Sequence, residues 1–192
     1  SPIYDTAPYV EGIRRLLELA DRIEGEGSPI TRLDIGGGFA ADYETGRAPD
    51  AAAYADAIVP LLRDRVAHGL RVVIEPGRAI AANAGILLLR VVARKTSGRK
   101  TFLVCDGGMN ALLRPSHYDA FHFAWPVAPP PSQVPPRRAE RPDVADLEQV
   151  DVVGPICETG DFLARDRWLP RLDRGDLLAV YSTGAYGMTM AS

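Results

Sequence analysis

Ile30-Thr-Arg-Leu-Asp-Ile-Gly-Gly-Gly-Phe39 reads as a strand over 30–35 that runs straight into a glycine triplet. The next segments complete a strand–helix–strand step. Residues 50–67 set Ala51, Tyr54, Ile58, Leu61, Leu62 and Val66 at helical spacing behind Asp50 as a cap. Pro60 is expected to kink or divide that helix. Residues 70–74 are short and apolar apart from Arg71, read as a buried parallel strand, and they empty into Glu75-Pro-Gly-Arg78. Upstream, Val10, Ile13, Leu16, Leu17, Ala20 and Ile23 mark a helix over 8–24, stopped by Gly25, Gly27 and Pro29. This is the repeating unit of an α/β barrel or an open α/β sheet. In both architectures ligands bind at the carboxyl ends of the strands, where the glycine loop and the Glu-Pro-Gly-Arg loop fall.

After residue 80 the texture changes. Residues 85–94 and 100–106 read as two strands joined through Lys95-Thr-Ser-Gly-Arg99 as a hairpin. Residues 110–122 are a short helix or an irregular segment. The stretch 126–142 carries seven prolines and little to bury, so it reads as an exposed loop. Further strands are expected at 150–153 and 176–181. The boundary falls near residue 82, with an α/β part over 1–82 and a β-rich part over 83–192. A complete α/β barrel takes about 250 residues. The sequence shows fewer strand–helix steps than that, so it reads as either a small open fold or the end of a barrel.

Composition excludes several classes. A formal net charge of -3, with basic residues scattered, leaves no electrostatic footprint for nucleic acid. No apolar run approaches the roughly 18 residues that span a bilayer. Cys105 and Cys157 lie far apart without metal-ligand spacing, which points to no bound metal and to a reducing compartment, the cytoplasm. The first residues have no basic region followed by an apolar stretch, and the chain does not begin with methionine, so it is expected to be a piece of a longer one.

Candidate chemistry sits in a few segments. Gly36-Gly37-Gly38 can turn backbone N–H groups toward a phosphate with no side chain in the way; a flexible turn is the other reading. Glu75-Pro76-Gly77-Arg78 is either a turn with Glu75 paired to Arg78 or a second anion site. In the latter the turn offers N–H groups and Arg78 its two-pronged fork. Arg114 and Tyr118 are four residues apart and share a face on a helical turn; a solvated arginine and a half-buried tyrosine is the alternative. His117, between them, has no evident partner. Cys157 alone reads as an inert buried cysteine. Yet Gly154-Pro-Ile-Cys-Glu-Thr-Gly-Asp161 sets it beside Glu158 between glycines, where a thiol and a carboxylate can face one small molecule. Tyr186, in Gly184-Ala-Tyr-Gly187, suits an aromatic ring against a flat ligand, or is an ordinary strand-to-turn tyrosine.

Leu33–Phe39, Glu75–Arg78, Asp106–Tyr118 and Gly154–Asp161, in this order, resemble the signatures of the fold-type III pyridoxal-phosphate decarboxylases. Among these the diaminopimelate decarboxylases are most similar. The resemblance implies the end of an alanine-racemase-like (β/α)8 barrel followed by a mostly-β C-terminal domain, both incomplete here. It implies pyridoxal 5'-phosphate as cofactor, contacted by Ser1, Gly37, Gly38, Glu75, Pro76, Gly77, Arg78 and Tyr186. Arg78, Arg114, Tyr118, Glu158 and Tyr186 would bind the amino-acid substrate, and Cys157 would donate the proton. A homodimer is implied, in which Cys157 and Glu158 complete the active site of the other subunit.

The family's Schiff-base lysine has no counterpart. The only lysines, Lys95 and Lys100, flank the expected hairpin, so the isolated chain is expected to be inactive. In the full-length parent the implied reaction is decarboxylation at the D-configured centre of meso-diaminopimelate, yielding L-lysine. Relatives acting on D-ornithine, carboxynorspermidine or a carrier-bound amino acid, and a silent cofactor-binding homologue, remain open.

Overall fold

The computed structural model describes residues 3–43 and 48–192, which form two compact units. Ser1, expected at the phosphate, lies outside the described residues. Unit 1 runs to residue 80, apart from a short excursion at 42–46; that excursion and residues 81–192 make unit 2.

In unit 1, α1 (Ala7–Gly25) and α2 (Ala51–Ala67) accompany β1 (Arg32–Asp34) and β2 (Arg71–Val73). The strands are parallel, pairing Arg32 with Arg71 and Asp34 with Val73, so the loops after them leave the same edge. Asp50 caps α2 as expected, its Oδ1 accepting from Ala53 N–H at 2.8 Å. Pro60 does not divide α2, which is continuous through it. The core is Tyr9, Ile13, Leu33, Phe39, Tyr54, Ile58, Leu62 and Leu70. Arg65 ties the helices together through Asp21 and Glu24. Gly77 and Arg78, read as part of a turn, open the short helix α3 (Gly77–Ala81).

Unit 2 is built on a six-stranded sheet ordered β5-β8-β3-β4-β6-β7. Its strands are β3 (Ile86–Ser97), β4 (Lys100–Cys105), β5 (Ala124–Pro126), β6 (Leu147–Val153), β7 (Phe162–Pro170) and β8 (Leu177–Tyr181). β3 and β4 form the expected hairpin, antiparallel with Ser97 opposite Lys100. Among the described residues, β4 and β6 are the one parallel pair in this sheet. The edge strands β5 and β7 approach each other, so the sheet curls around a core of Leu89, Val91, Leu103, Val152, Leu169 and Leu178. The five-residue helix α4 (Arg114–Tyr118) packs beside β7. The proline stretch is mostly exposed, except that Pro126 closes β5 and Pro142 is buried.

Cys105 belongs wholly to this core. Burial, reinforced by Asp106, pushes its thiol from an ordinary 9.0 up to about 12. An unfolded chain gives up that proton first, so the stability this group contributes is complete below pH 9 and is lost as pH rises toward 12. The urea midpoint should fall with pH across that window, and fall less steeply in Cys105→Ala.

Candidate functional site

Two sets of candidate residues emerge, one in each unit. In unit 1 the glycine triplet is held by its carbonyls. Gly36 C=O accepts from Glu75 N–H at 2.9 Å, and Gly38 C=O from Ile3 N–H at 2.8 Å. Gly37 C=O accepts from the Tyr9 hydroxyl. Burial, with the Tyr54 phenol alongside, pushes Tyr9 up to about 12, so it keeps the proton it donates. A peptide's N–H points opposite its C=O. The three anchored carbonyls therefore turn the N–H groups of the succeeding residues the other way, and those of Gly37 and Gly38 meet no acceptor among the described residues.

Only glycine fits here. A Cβ on Gly37 would lie 2.7 Å from Glu75 O. On Gly38, whose φ is +94°, it would lie 2.9 Å from Ile3 Cδ1. Adjacent unspent N–H groups on a loop without side chains are the donor pattern of an anion cradle. The Glu75–Arg78 loop serves differently from a free donor set. Glu75 N–H goes to Gly36 and Gly77 N–H to Glu75 C=O at 2.9 Å, so this loop braces the triplet.

In unit 2 a single carboxylate organises the second set. Asp161, 5% exposed, accepts from Met109 N–H at 2.7 Å through Oδ1 and from Ile156 N–H at 2.6 Å through Oδ2. It thereby buckles the loop after β4 to the loop between β6 and β7. Gly108 and Gly154 cross beneath it; a Cβ on either would strike the other's backbone and the carboxylate. In the sequence Asp161 stands out only as a neighbour of Cys157. Its partner Met109 is 52 residues away, which no local pattern reveals.

The buckled loop offers Cys157 and Glu158 outward. Both are exposed and the thiol is free, so Cys157 is not the buried inert cysteine; Cys105 is. Gly160 brings the same loop against α4, where a Cβ would lie 2.8 Å from Ser116 Oγ. Arg114 at the start of α4 is buried, whereas Tyr118, one turn on, is 60% exposed. His117 packs its ring against Tyr118 at 4.5 Å. Tyr186 sits on a separate turn after β8 at φ 61°, a left-handed conformation unusual for a bulky residue. Lys100 is bound to Asp151 at 2.9 Å and Asp166 at 3.1 Å. Its hydrogen bonds to Asp151 and then Asp166 raise its pKa, the opposite of what a carbonyl-attacking amine needs.

Residues 3–184 match the family model described as "Pyridoxal-dependent decarboxylase, C-terminal sheet domain". A diaminopimelate decarboxylase of Pseudomonas aeruginosa is 45% identical over 194 aligned positions, covering 100% of this chain and 42% of that protein. Diaminopimelate decarboxylase from Helicobacter pylori, solved with L-lysine, superposes with a TM-score of 0.84 at 33% identity, covering 100% of this chain and 44% of that one. A structure described as SrLDC in complex with PLP and cadaverine gives 0.81 at 28% identity, covering 100% and 46%. The chain thus spans less than half the length of the relatives it matches.

Proposed function

The chain belongs to the pyridoxal-dependent decarboxylases, and from that premise we propose that its full-length parent removes the carboxylate at the D-configured centre of meso-diaminopimelate, yielding L-lysine and carbon dioxide. The observation that carries this reading is the exposed Cys157–Glu158 pair, fixed by the buried Asp161 and lying on a loop that abuts α4.

The cofactor is pyridoxal 5'-phosphate, which supplies an electron sink for the pair left when the carboxylate departs. Gly37 and Gly38 hold its phosphate through their N–H groups, and the Glu75-Pro76-Gly77-Arg78 loop braces them. Tyr186 is assigned to contact with cofactor and substrate, and its left-handed backbone is of the kind that collects at functional sites. Arg78 binds a substrate carboxylate, because its guanidinium can engage two oxygens at once. Arg114 binds the distal carboxylate, with Tyr118 beside it. Glu158 holds the distal ammonium by charge. Cys157 Sγ–H delivers the proton to the carbon that has lost carbon dioxide. The parent acts as a homodimer in which Cys157 and Glu158 complete the other subunit's site. It works in the cytoplasm, where two free thiols persist.

The test is carbon dioxide release by the full-length parent with meso-diaminopimelate, D-ornithine, carboxynorspermidine and a carrier-bound amino acid. The highest kcat/KM should be for meso-diaminopimelate. A preference for another of these substrates reassigns the reaction, and turnover of none makes the protein a silent binder.

A further inference from the structure

His122 is fully buried. A buried imidazole must satisfy both nitrogens. Its Nδ1 lies 3.0 Å from Tyr181 O, a carbonyl that can only accept, so Nδ1 carries the hydrogen. Nε2 is then a lone pair, and it accepts from Arg114 Nη1 at 2.7 Å. A second proton on the ring would set N–H against N–H at that contact, so the neutral tautomer is the one that fits. Tyr43, itself buried, packs edge-on to the imidazole at 5.5 Å and lies under the guanidinium, with Arg114 Cζ 4.8 Å from its ring centroid. One backbone carbonyl thus fixes a histidine tautomer, the histidine fixes one guanidinium nitrogen, and an aromatic ring fixes its plane.

We infer that His122, with Tyr43, is a specificity-determining positioning residue: it aims the Arg114 fork so that a substrate bearing a second, distal carboxylate is preferred. This rests on the reading of Arg114 as the distal-carboxylate ligand. The rationale is that a planar fork recognises a carboxylate only when its orientation is set, and a preset fork loses less freedom on binding.

Two substitutions in the full-length parent separate the ring's two bonds. His122→Asn keeps a donor for Tyr181 but is too short to reach Arg114. His122→Gln keeps an acceptor at the reach of Nε2. Steady-state kinetics are compared for meso-diaminopimelate and for D-lysine, which lacks the distal carboxylate, with Arg114→Ala run alongside. His122→Asn should raise KM for meso-diaminopimelate about tenfold, the scale of a lost hydrogen bond to a charged group, and leave D-lysine nearly unchanged. His122→Gln should restore most of that selectivity. Tyr43→Leu, which removes the ring and leaves the imidazole bonds, should shift selectivity in the same direction by a smaller factor.

Equal losses for both substrates in His122→Asn and in Tyr43→Leu, while Arg114→Ala remains selective, overturn the inference and leave the Arg114 assignment standing. An unselective Arg114→Ala removes both.

Discussion

Replacing Cys157 by alanine in the full-length parent should lower kcat by about 10²–10⁴-fold, the usual contribution of a positioned general acid, with little change in KM. The reasons are structural. The Cys157 side chain is exposed and belongs to neither hydrophobic core. Its loop is held by Asp161 through Met109 and Ile156, contacts that do not involve the thiol. Removing Sγ should therefore cost stability only within the roughly ±0.5 kcal/mol typical of surface changes. A large rate loss with no stability loss is the signature of a group that acts only when the proton moves. Steady-state kinetics and a thermal melt on the same preparation decide the matter. Near-normal kcat per folded enzyme removes Cys157 from the reaction and leaves its exposure without a chemical explanation.

The two units differ in how legible they are in the sequence. In unit 1 the signals are local. The strand before Gly36, the Asp50 cap and the short run 70–74 each sit within a few positions of the element they specify, and the parallel β1–β2 pair has its loops at one edge as they imply, although β2 is exposed to half-buried rather than buried as expected. In unit 2 the hairpin of β3 and β4 is equally local.

β7 escapes a sequence reading because its burial does not alternate. Leu163 and Ala164 are both buried, Asp166 has a positive φ, and the pairing with β6 shifts register. Such a strand carries no period of two for the eye to find. Pro60 does not divide α2, which runs continuously through it with Ile58 and Leu62 buried on either side. The site residues show the same division. Cys157, Glu158, Arg114 and the glycines are legible as short motifs. His122 is not, because its role is defined by Tyr181 and Arg114, which lie 59 and 8 residues away. The buckle at Asp161 is hidden for the same reason.

Arg114→Ala should cost the parent about 2–5 kcal/mol on meso-diaminopimelate, the range for truncating one partner of a desolvated charge pair. At about 1.4 kcal/mol per decade, that exceeds tenfold in kcat/KM. The residue is nine-tenths buried and supplies the donor to His122 Nε2. Truncation therefore also removes that hydrogen bond, at about 1–3 kcal/mol of folding stability. A simple drop in activity could come from either source. The comparison with D-lysine separates them, because the ratio of kcat/KM for the two substrates is independent of how much enzyme is folded. D-lysine has no distal carboxylate to lose. Its kcat/KM per folded enzyme should stay near the wild-type value, and the ratio should collapse by the full binding contribution. If both substrates lose equally, the guanidinium is a structural strut under α4, and the choice of meso-diaminopimelate over a monocarboxylic diamino acid loses its main physical support.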